Sequence, residues 1–528
     1  MTSTSGAALL VALLVIPLVG ALVVMFLRDN DKLAKQTALG FSLVEFAVAV
    51  AAWISYDPDG TRLQQSFSID WIPAFGVHLS FGMDGIALVM VAVIGLLVPL
   101  VIGAGWTEKL PAERSAGGFL SLILLQQALT IGVFAATDVF LFYVLFEVML
   151  IPMYFLIGNY GGPRRQYAAV KFFLYSFLGG LIMLASAIGA YSMASDELGS
   201  GTFDWATLVQ VVSNAPLENQ IWIFLGFFLA FAVKAPLVPL HTWLPDSAAE
   251  APIGVAVLLV GVLDKVGTFG FLRYLLPMTP DASRTLAPLV LVMGVAGILY
   301  GALLATMQRD MKRFIAYVSI AHFGFIAVGI FAFTAQSEVG AVTYMLNHSI
   351  ATGMLILVIG MVIARGGSTL IADYGGMAKL TPLLAGTFMV AALATLSLPG
   401  TGSFISEFLV LAGSYGPEPV YTILATIGMI LAAMYVLWLY QRVFHGPVRG
   451  NALIDVAGGP GTVVAPEVGA RKAIRDLGGR EKLVLAPLVA LVVGIGIYPA
   501  PVLDVITPTV QSTLDAVGVS DSGSDGGN

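Results

Sequence analysis

The sequence predicts an all-α, polytopic membrane protein of about 14 transmembrane helices, and three observations predict it. Hydrophobic residues make up 58% of the 528-residue chain and charged residues 11%, against about 25% charged in a soluble domain. Apolar runs of about 20 residues, the length that crosses a hydrocarbon core, recur from end to end. Lys and Arg gather in alternate loops between those runs, as the positive-inside rule requires.

The first span, 7–27, has no basic residue ahead of it. A signal peptide needs a positive leader, so this run reads as a retained helix. The second, 34–56, carries Glu45, at a position that suits an outer helix turned toward a neighbouring subunit. Between it and the third, residues Phe67 to Ser80 alternate around a Pro/Gly turn, the pattern of a short β-hairpin. The third, 82–105, opens near Asp84, placed to cap it. Length and apolarity alone give 118–136, 138–160, 168–194, 220–240, 251–276, 286–307, 313–333, 338–364, 418–444 and 483–500. The twelfth, 382–414, is long because Leu398-Pro399-Gly400-Thr401-Gly402 interrupts it. The loop 445–482 is basic and Gly-rich, suited to docking or flexibility, and the tail 519–528 has the composition of a disordered segment.

Charge tests this count. Twenty of the 25 Lys and Arg residues fall on one side, Arg62, Arg273 and Arg284 fall on the other, and Lys234 and Lys265 are left inside spans. Adding or removing an internal span would scramble the alternation. Both termini are therefore expected on the outer face.

Prolines mark two broken helices. Pro236 and Pro239 follow Lys234 in the seventh span, and Pro399 precedes Glu407 in the twelfth. The breaks at Pro236 and Pro399 lie 163 residues apart, and spans four and nine begin about 168 apart. Spans 4–8 and 9–13 thus read as two five-helix repeats, the second inverted because five is odd. Paired interruptions of this kind point to an ion site in transporters. The domain reading follows: 1–117 for three leading helices and the hairpin loop, 118–276 and 277–444 for the repeats, 445–528 for the loop, last helix and tail.

The costly residues are the charges inside spans. A charge at the bilayer centre costs roughly 2.5–3.5 kcal/mol on insertion scales. Glu147, Lys234, Lys265, His348 and Glu407 all occupy such places. Glu147 is a carboxylate whose proton affinity depends on a cationic partner, and Lys234 is the natural one. The competing reading is a buried pair that only locks two helices. Lys265 is a second lysine able to exchange a proton, with Asp264 beside it as a secondary candidate or a plain counter-ion. His322 and His348 fall on consecutive spans of the second repeat, which suits one shared polar path ending at Glu407. Each histidine could equally be a satisfied hydrogen-bonding group of the core. His241, Asp246 and Glu250 sit at the inner end between spans seven and eight, as proton-uptake groups or as ordinary loop residues.

The chain holds no cysteine, which excludes disulfides and Cys-ligated iron–sulfur clusters in it. Its five histidines lack metal-site spacing, and the net charge of −7 is spread over loops and tail, giving no reason to expect nucleic acid. No nucleotide-binding or nucleophile motif stands in a credible context.

The run Val233-Lys-Ala-Pro-Leu-Val-Pro-Leu-His-Thr-Trp-Leu-Pro-Asp-Ser-Ala-Ala-Glu-Ala-Pro252 closely resembles the signature of the antiporter-like membrane subunits of respiratory complex I. Phe146-Glu147, Leu263-Asp-Lys265, His348 and Leu398-Pro-Gly400 resemble it too, and the likeness spans nearly the whole chain. L- and N-type relatives usually carry lysine where Glu407 stands, so the chain is similar to the M-type branch. One departure is Ala248, where the family commonly has histidine, which weakens an uptake path through that site.

The resemblance implies a proton channel coupled to quinone reduction elsewhere in a larger complex. Glu147 and Lys234 would form the coupling pair, Lys265 would connect to His322 or His348, and Glu407 would pass the proton outward. It implies a translocase subunit of the bacterial inner membrane with L- and N-type partners. NADH, FMN, iron–sulfur clusters and quinone would sit on other subunits. The alternatives are a subunit of a multisubunit cation/proton antiporter, and a membrane scaffold whose ion pairs only hold helices.

Overall fold

The computed structural model describes residues 2–111, 114–455 and 470–519. The tail reading for 519–528 lies, from residue 520 onward, outside the described residues. Helices α1 (Thr2–Met25) and α2 (Asp31–Ile54) form the first antiparallel pair, with Asn30 capping α2 through its side-chain oxygen. The expected hairpin follows as β1 (Gln64–Ile72) and β2 (Val77–Met83), joined by a short turn in which Gly76 takes φ 59°.

Next come α3 (Gly85–Ala104), α4 (Ala116–Ala135), α5 (Val139–Val148), α6 (Leu150–Tyr160), α7 (Arg165–Leu198), α8 (Trp205–Ser213) and α9 (Leu217–Lys234). Asp84 caps α3 as expected, accepting from Ala87 N at 2.8 Å. Asp138 and Asp204 cap α5 and α8 in the same way. Pro152 cannot donate to the Val148 carbonyl and crowds it, so the fifth span kinks at Met149 between α5 and α6.

The eighth span is the most buried of all, built from α10 (Trp243–Glu250) as its lead-in, α11 (Ile253–Leu258), α12 (Lys265–Gly270) and α13 (Leu276–Met278). Two π-helical stretches, Leu259–Leu263 and Phe271–Leu275, widen it on either side of α12. The chain continues through α14 (Pro280–Met307), α15 (Met311–Phe331), α16 (Ala335–Gly366), α17 (Pro382–Thr395), α18 (Gly402–Tyr415), α19 (Pro419–Phe444), β3 (Ile454–Asp455), β4 (Ala470–Arg471), α20 (Gly479–Ile497) and α21 (Ala500–Val517).

Among the described residues, 12 helices are by themselves long and apolar enough to span a membrane, and a 13th span is counted if α20 and α21, bent by 70°, are taken as one. The remaining member of the expected fourteen is the broken twelfth, whose halves α17 and α18 have 14 residues each. The break leaves each half too short to register as a span. The all-α expectation holds apart from the β1–β2 hairpin and the two-residue pair β3–β4.

The centre of the molecule is the contact zone of α9, the eighth span, α15, α16 and α18, where α16 is buried along nearly its full length. The periphery, formed by α1, α2, α7 and α19, shows apolar side chains such as Leu22, Leu178 and Ile430 outward. A lipid-facing surface needs such a coat. Glu45 does not look outward. It is fully buried between α2, α3 and α4, with Gln127 Nε2 donating to it at 2.6 Å, so the subunit-facing expectation is overturned.

Candidate functional site

The two proline breaks put polar backbone at the centre of the bundle. Pro236 has no N–H for the Ala232 carbonyl. Leu237 N takes that carbonyl instead at 2.9 Å, and Trp243 Nε1 takes the Val233 carbonyl at 2.9 Å. Helix α9 can therefore stop at Lys234 in an apolar setting with its freed carbonyls satisfied. In the other break, Ser397 takes φ 60° and Gly400 φ 96°, and Leu398 N closes back on Leu393 O at 3.0 Å. Only glycine enters that region without strain. The turn sets α18 to start beside α16, where Asn347 Nδ2 donates to Gly402 O at 2.8 Å.

Glu147 stands two residues before the α5–α6 kink at Met149, and its carboxylate lies against Gly180 of α7. A Cβ on Gly180 would fall 1.5 Å from Glu147 Oε1. Both carboxylate oxygens are shielded and lack a hydrogen-bond partner among the described residues. Lys234 is fully buried, and its Nζ likewise has no partner. The ammonium sits 4.9 Å from the centre of the Phe146 ring and 5.5 Å from that of Phe172, favourable places for a cation. The expected Glu147–Lys234 pair is thus near enough to interact by charge but not in contact.

Lys234 also feels a second carboxylate, Asp264, which is fully buried and without a hydrogen bond. Asp264 in turn feels both lysines, Lys234 and Lys265. The residue read from sequence as secondary thus interacts by charge with both cations. Helix α9 and α12 approach closely enough for this because Gly267 lacks a side chain; a Cβ there would fall 2.5 Å from Phe231 O.

Lys265 follows the first π-helical stretch. Its Nζ donates to Val260 O at 2.5 Å and lies 2.5 Å from His348 Nδ1 on α16. A π-bulge lets a side chain reach backbone that a regular helix would close off, and such bulges recur at functional sites. His322 on α15 lies 5.3 Å from His348, ring centre to ring centre. Its Nδ1 is 2.5 Å from the Tyr344 hydroxyl. Tyr344 also faces the Glu407 carboxylate and Ser397. The Nε2 atoms of both histidines point into buried space without partners among the described residues.

The structure therefore brings Lys265, His348, His322 and Glu407 into one buried file and places Asp264, Lys234 and Glu147 at its other end. The sequence reading missed Tyr344, which touches His322 and faces Glu407. One signal was available. Tyr344 lies four residues before His348, so both share a face of α16. Gly180, the seat of the Glu147 carboxylate, was also missed.

The remaining candidates fall elsewhere. Asp246 bridges Lys171 of α7 and Arg313 of α15, at 2.8 Å to each. Burial would push its carboxyl up, but the two cations outweigh this and hold it below the usual carboxylate value. His241, between α9 and α10, packs against the Tyr300 ring at 5.1 Å and has no partner at Nδ1. Burial, then Lys171, push this imidazole down to about 4, so it is neutral at physiological pH. Glu250 is tied to the backbone N of Arg164 at 2.9 Å. Among the described residues no His, Asp or Glu cluster has the form of a metal site.

Chemically, the file is a set of side chains able to give and accept protons, arranged through the centre of the bundle. A family model described as NADH:quinone oxidoreductase/Mrp antiporter, TM, matches residues 136–434, which contain every member of the file. NADH-quinone oxidoreductase subunit M of Mycobacterium tuberculosis (strain ATCC 25618 / H37Rv) is 43% identical over 539 residues, covering 96% of this chain and 94% of that protein. The subunit M of Rhodobacter capsulatus is 39% identical over 91% of this chain and 90% of its own length. A chain of respiratory complex I from Thermus thermophilus with bound NADH matches in shape with a TM-score of 0.83 at 30% identity, covering 97% of this chain and 100% of that one. A chain of the Mrp complex from Dietzia sp. DQ12-45-1b matches at TM-score 0.83 with 20% identity, a likeness of fold alone.

Proposed function

The chain belongs to the NADH-quinone oxidoreductase subunit M family, and from that premise we propose that it moves protons through the buried file from Glu147 to Glu407. It is a proton-translocating, antiporter-like membrane subunit of complex I. The observation that carries the proposed route is the contact sequence Lys265–His348, His322–Tyr344 and Tyr344 facing Glu407.

A proton on the Lys265 ammonium passes to His348 along the 2.5 Å contact. It crosses the two facing imidazoles, and Tyr344 relays it to Glu407. Lys234 is the switch at the other end. Its attraction is shared between Glu147 and Asp264, so a small movement toward Glu147 strengthens one pair and releases Asp264 to favour the charged form of Lys265. Coupling through charge in a low-dielectric interior is strong enough for such a handover. The second carboxylate on Lys234 is what turns a pair into a two-position device.

The finer assignments rest on the same reading. Spans 4–8 and 9–13 form two inverted repeats, supported by the breaks after Lys234 and around Pro399. NADH, FMN, iron–sulfur clusters and quinone belong to other subunits, in keeping with a sequence that has no cysteine. L- and N-type subunits are its membrane-arm partners. The protein lies in the bacterial inner membrane, with its termini outside, in keeping with its basic loops.

The test uses the intact complex in sealed vesicles. Glu147→Gln and Lys234→Ala are expected to assemble and to lose most proton uptake linked to quinone reduction. Undiminished uptake by both variants refutes the route.

A further inference from the structure

Helices α14 and α19 pack side by side, and both end on the side that carries 20 of the 25 Lys and Arg residues. An open groove of about 530 Å³ lies between them near those ends. Thr306 of α14 lines it with Ala433, Met434, Leu437, Trp438 and Gln441 of α19. Met434, Leu437, Trp438 and Gln441 follow at i, i+3, i+4 and i+7, so they form one stripe of the helix. The first three are 47%, 44% and 42% exposed. The stripe is apolar as far as Trp438 and turns polar at Gln441.

A cation stands at that polar end. Arg442 is in the last turn of α19, and its Cζ lies over the Trp438 ring, 4.9 Å from the ring centre. Stacking occupies the face of a guanidinium and leaves its fork of N–H donors at the edge, the part that matches a phosphate. Indole rings collect at the membrane–water interface. Apolar slot, interfacial ring and guanidinium thus follow one another along α19, the order of acyl chain, glycerol and phosphate in a phospholipid. The wall from Ala433 to Gln441 is about 12 Å long at about 1.5 Å per residue. Over that length the groove has a cross-section of about 45 Å², too narrow for a neighbouring helix of roughly 10–12 Å diameter.

We propose that the α14–α19 groove binds one anionic phospholipid of the inner leaflet, with an acyl chain in the slot and the phosphate on Arg442. Charge complementarity selects the headgroup. The basic side of the bundle faces the leaflet whose anionic lipids attract cations, and an Arg–phosphate contact is charge-assisted and geometrically specific. Gln441 offers an amide beside the headgroup. The apolar length of the groove selects a lipid over free phosphate, which has nothing to place there. The bound lipid joins α14 to α19, and these helices pack on α15 and α18, the carriers of His322 and Glu407.

The proposal rests on the orientation of the basic loops and is independent of the proton route. The whole complex is reconstituted in vesicles doped with phosphatidylglycerol that carries a photoreactive diazirine in its acyl chain, or with phosphatidylcholine that carries the same group. After irradiation the labelled peptides are mapped. Expected is several-fold stronger labelling of α14 and α19 around the groove by the phosphatidylglycerol probe. Arg442→Gln is expected to lower that labelling to the phosphatidylcholine level, and Arg442→Lys, which keeps the charge without the fork, to retain part of it. Leu437→Trp fills the slot and should exclude the probe while Arg442 stays in place. Equal labelling by the two probes would mark an ordinary boundary lipid and overturn the site. So would labelling that neither Arg442→Gln nor Leu437→Trp reduces. An unlabelled groove, with a neighbouring subunit released from the complex by Arg442→Gln, would assign the face to a protein contact instead.

Discussion

Lys265 of the eighth span and His348 of α16 meet at 2.5 Å, an amine and an imidazole nitrogen, both buried. Two such bases share a proton readily, but both charged at once would repel strongly. Lys265→Arg is therefore the informative substitution. It keeps the cation and removes the ability to give up the proton. Coupled proton uptake is expected to fall on the order of 100-fold, the range seen when a proton-transfer group is removed. Near-normal uptake by the arginine variant, measured in vesicles, would mean that only the charge matters.

In the proposed route Tyr344 stands between His322 and Glu407. Tyr344→Phe removes one hydroxyl and keeps the ring against His322 and Phe325. The expected result is at least about tenfold slower uptake, equivalent to 1.36 kcal/mol on the barrier, with assembly intact. A larger solvent deuterium effect in the variant would mark proton passage as the slowed step. Unchanged rate and isotope effect would remove Tyr344 from the route.

Gly180 predicts a phenotype with no charge change. An alanine Cβ would lie 1.5 Å from Glu147 Oε1, so the carboxylate must leave its seat. Gly180→Ala is expected to resemble Glu147→Gln in turnover while the complex still assembles. Full activity in Gly180→Ala would show that the position of this carboxylate is immaterial.

Asp246 joins α7 to α15 and is expected to act as a clamp. Its carboxyl lies below the usual carboxylate value in the folded protein, against burial and because of Lys171 and Arg313. The sign follows from the direction. The stabilisation is fully present above the ordinary carboxylate range and is lost as pH falls through the lower folded value. Asp246→Asn should cost on the order of 1 kcal/mol per part-exposed pair and should flatten the acid limb of a thermal-stability profile. A variant with the same acid limb as the parent would assign that limb to other groups.

Asp84 and Arg273 form a pair of a different kind. Arg273 Nε and Nη2 both lie 2.8 Å from Asp84 Oδ2, and neither residue is more than 1% exposed. Removing one partner leaves a buried charge, which costs roughly 3–5 kcal/mol. Asp84→Asn is expected to reduce the amount of assembled complex, whereas Asp84→Asn with Arg273→Met should recover part of it. Equal loss in the single and double variants would argue against the pair.

Sequence and structure divided the work along physical lines. Lys234, Lys265, His348 and Glu407 were legible because a charge in an apolar run has no cheap explanation. Pro236 and Pro399 were legible because proline cannot complete a helix. Tyr344 was not, since tyrosine in an apolar helix is ordinary until its hydroxyl is seen beside His322. Asp264 read as a local counter-ion because sequence showed its neighbour Lys265 but not Lys234, thirty residues away in the chain. Glu45 was assigned to the wrong surface, since a nearly even apolar helix does not say which side meets the bundle.

The sequence by itself determined the class, the spans, their alternation and where the helices break. Those follow from length, apolarity, loop charge and backbone donors, all local or additive properties. Tertiary structure alone decided which charges meet. It left Glu147 apart from Lys234, brought Asp264 within charge range of two lysines and put Tyr344 beside both His322 and Glu407. Those relations depend on helix rotation and on glycine-permitted close approaches across the bundle, which separate residues far apart in the chain by a few ångströms.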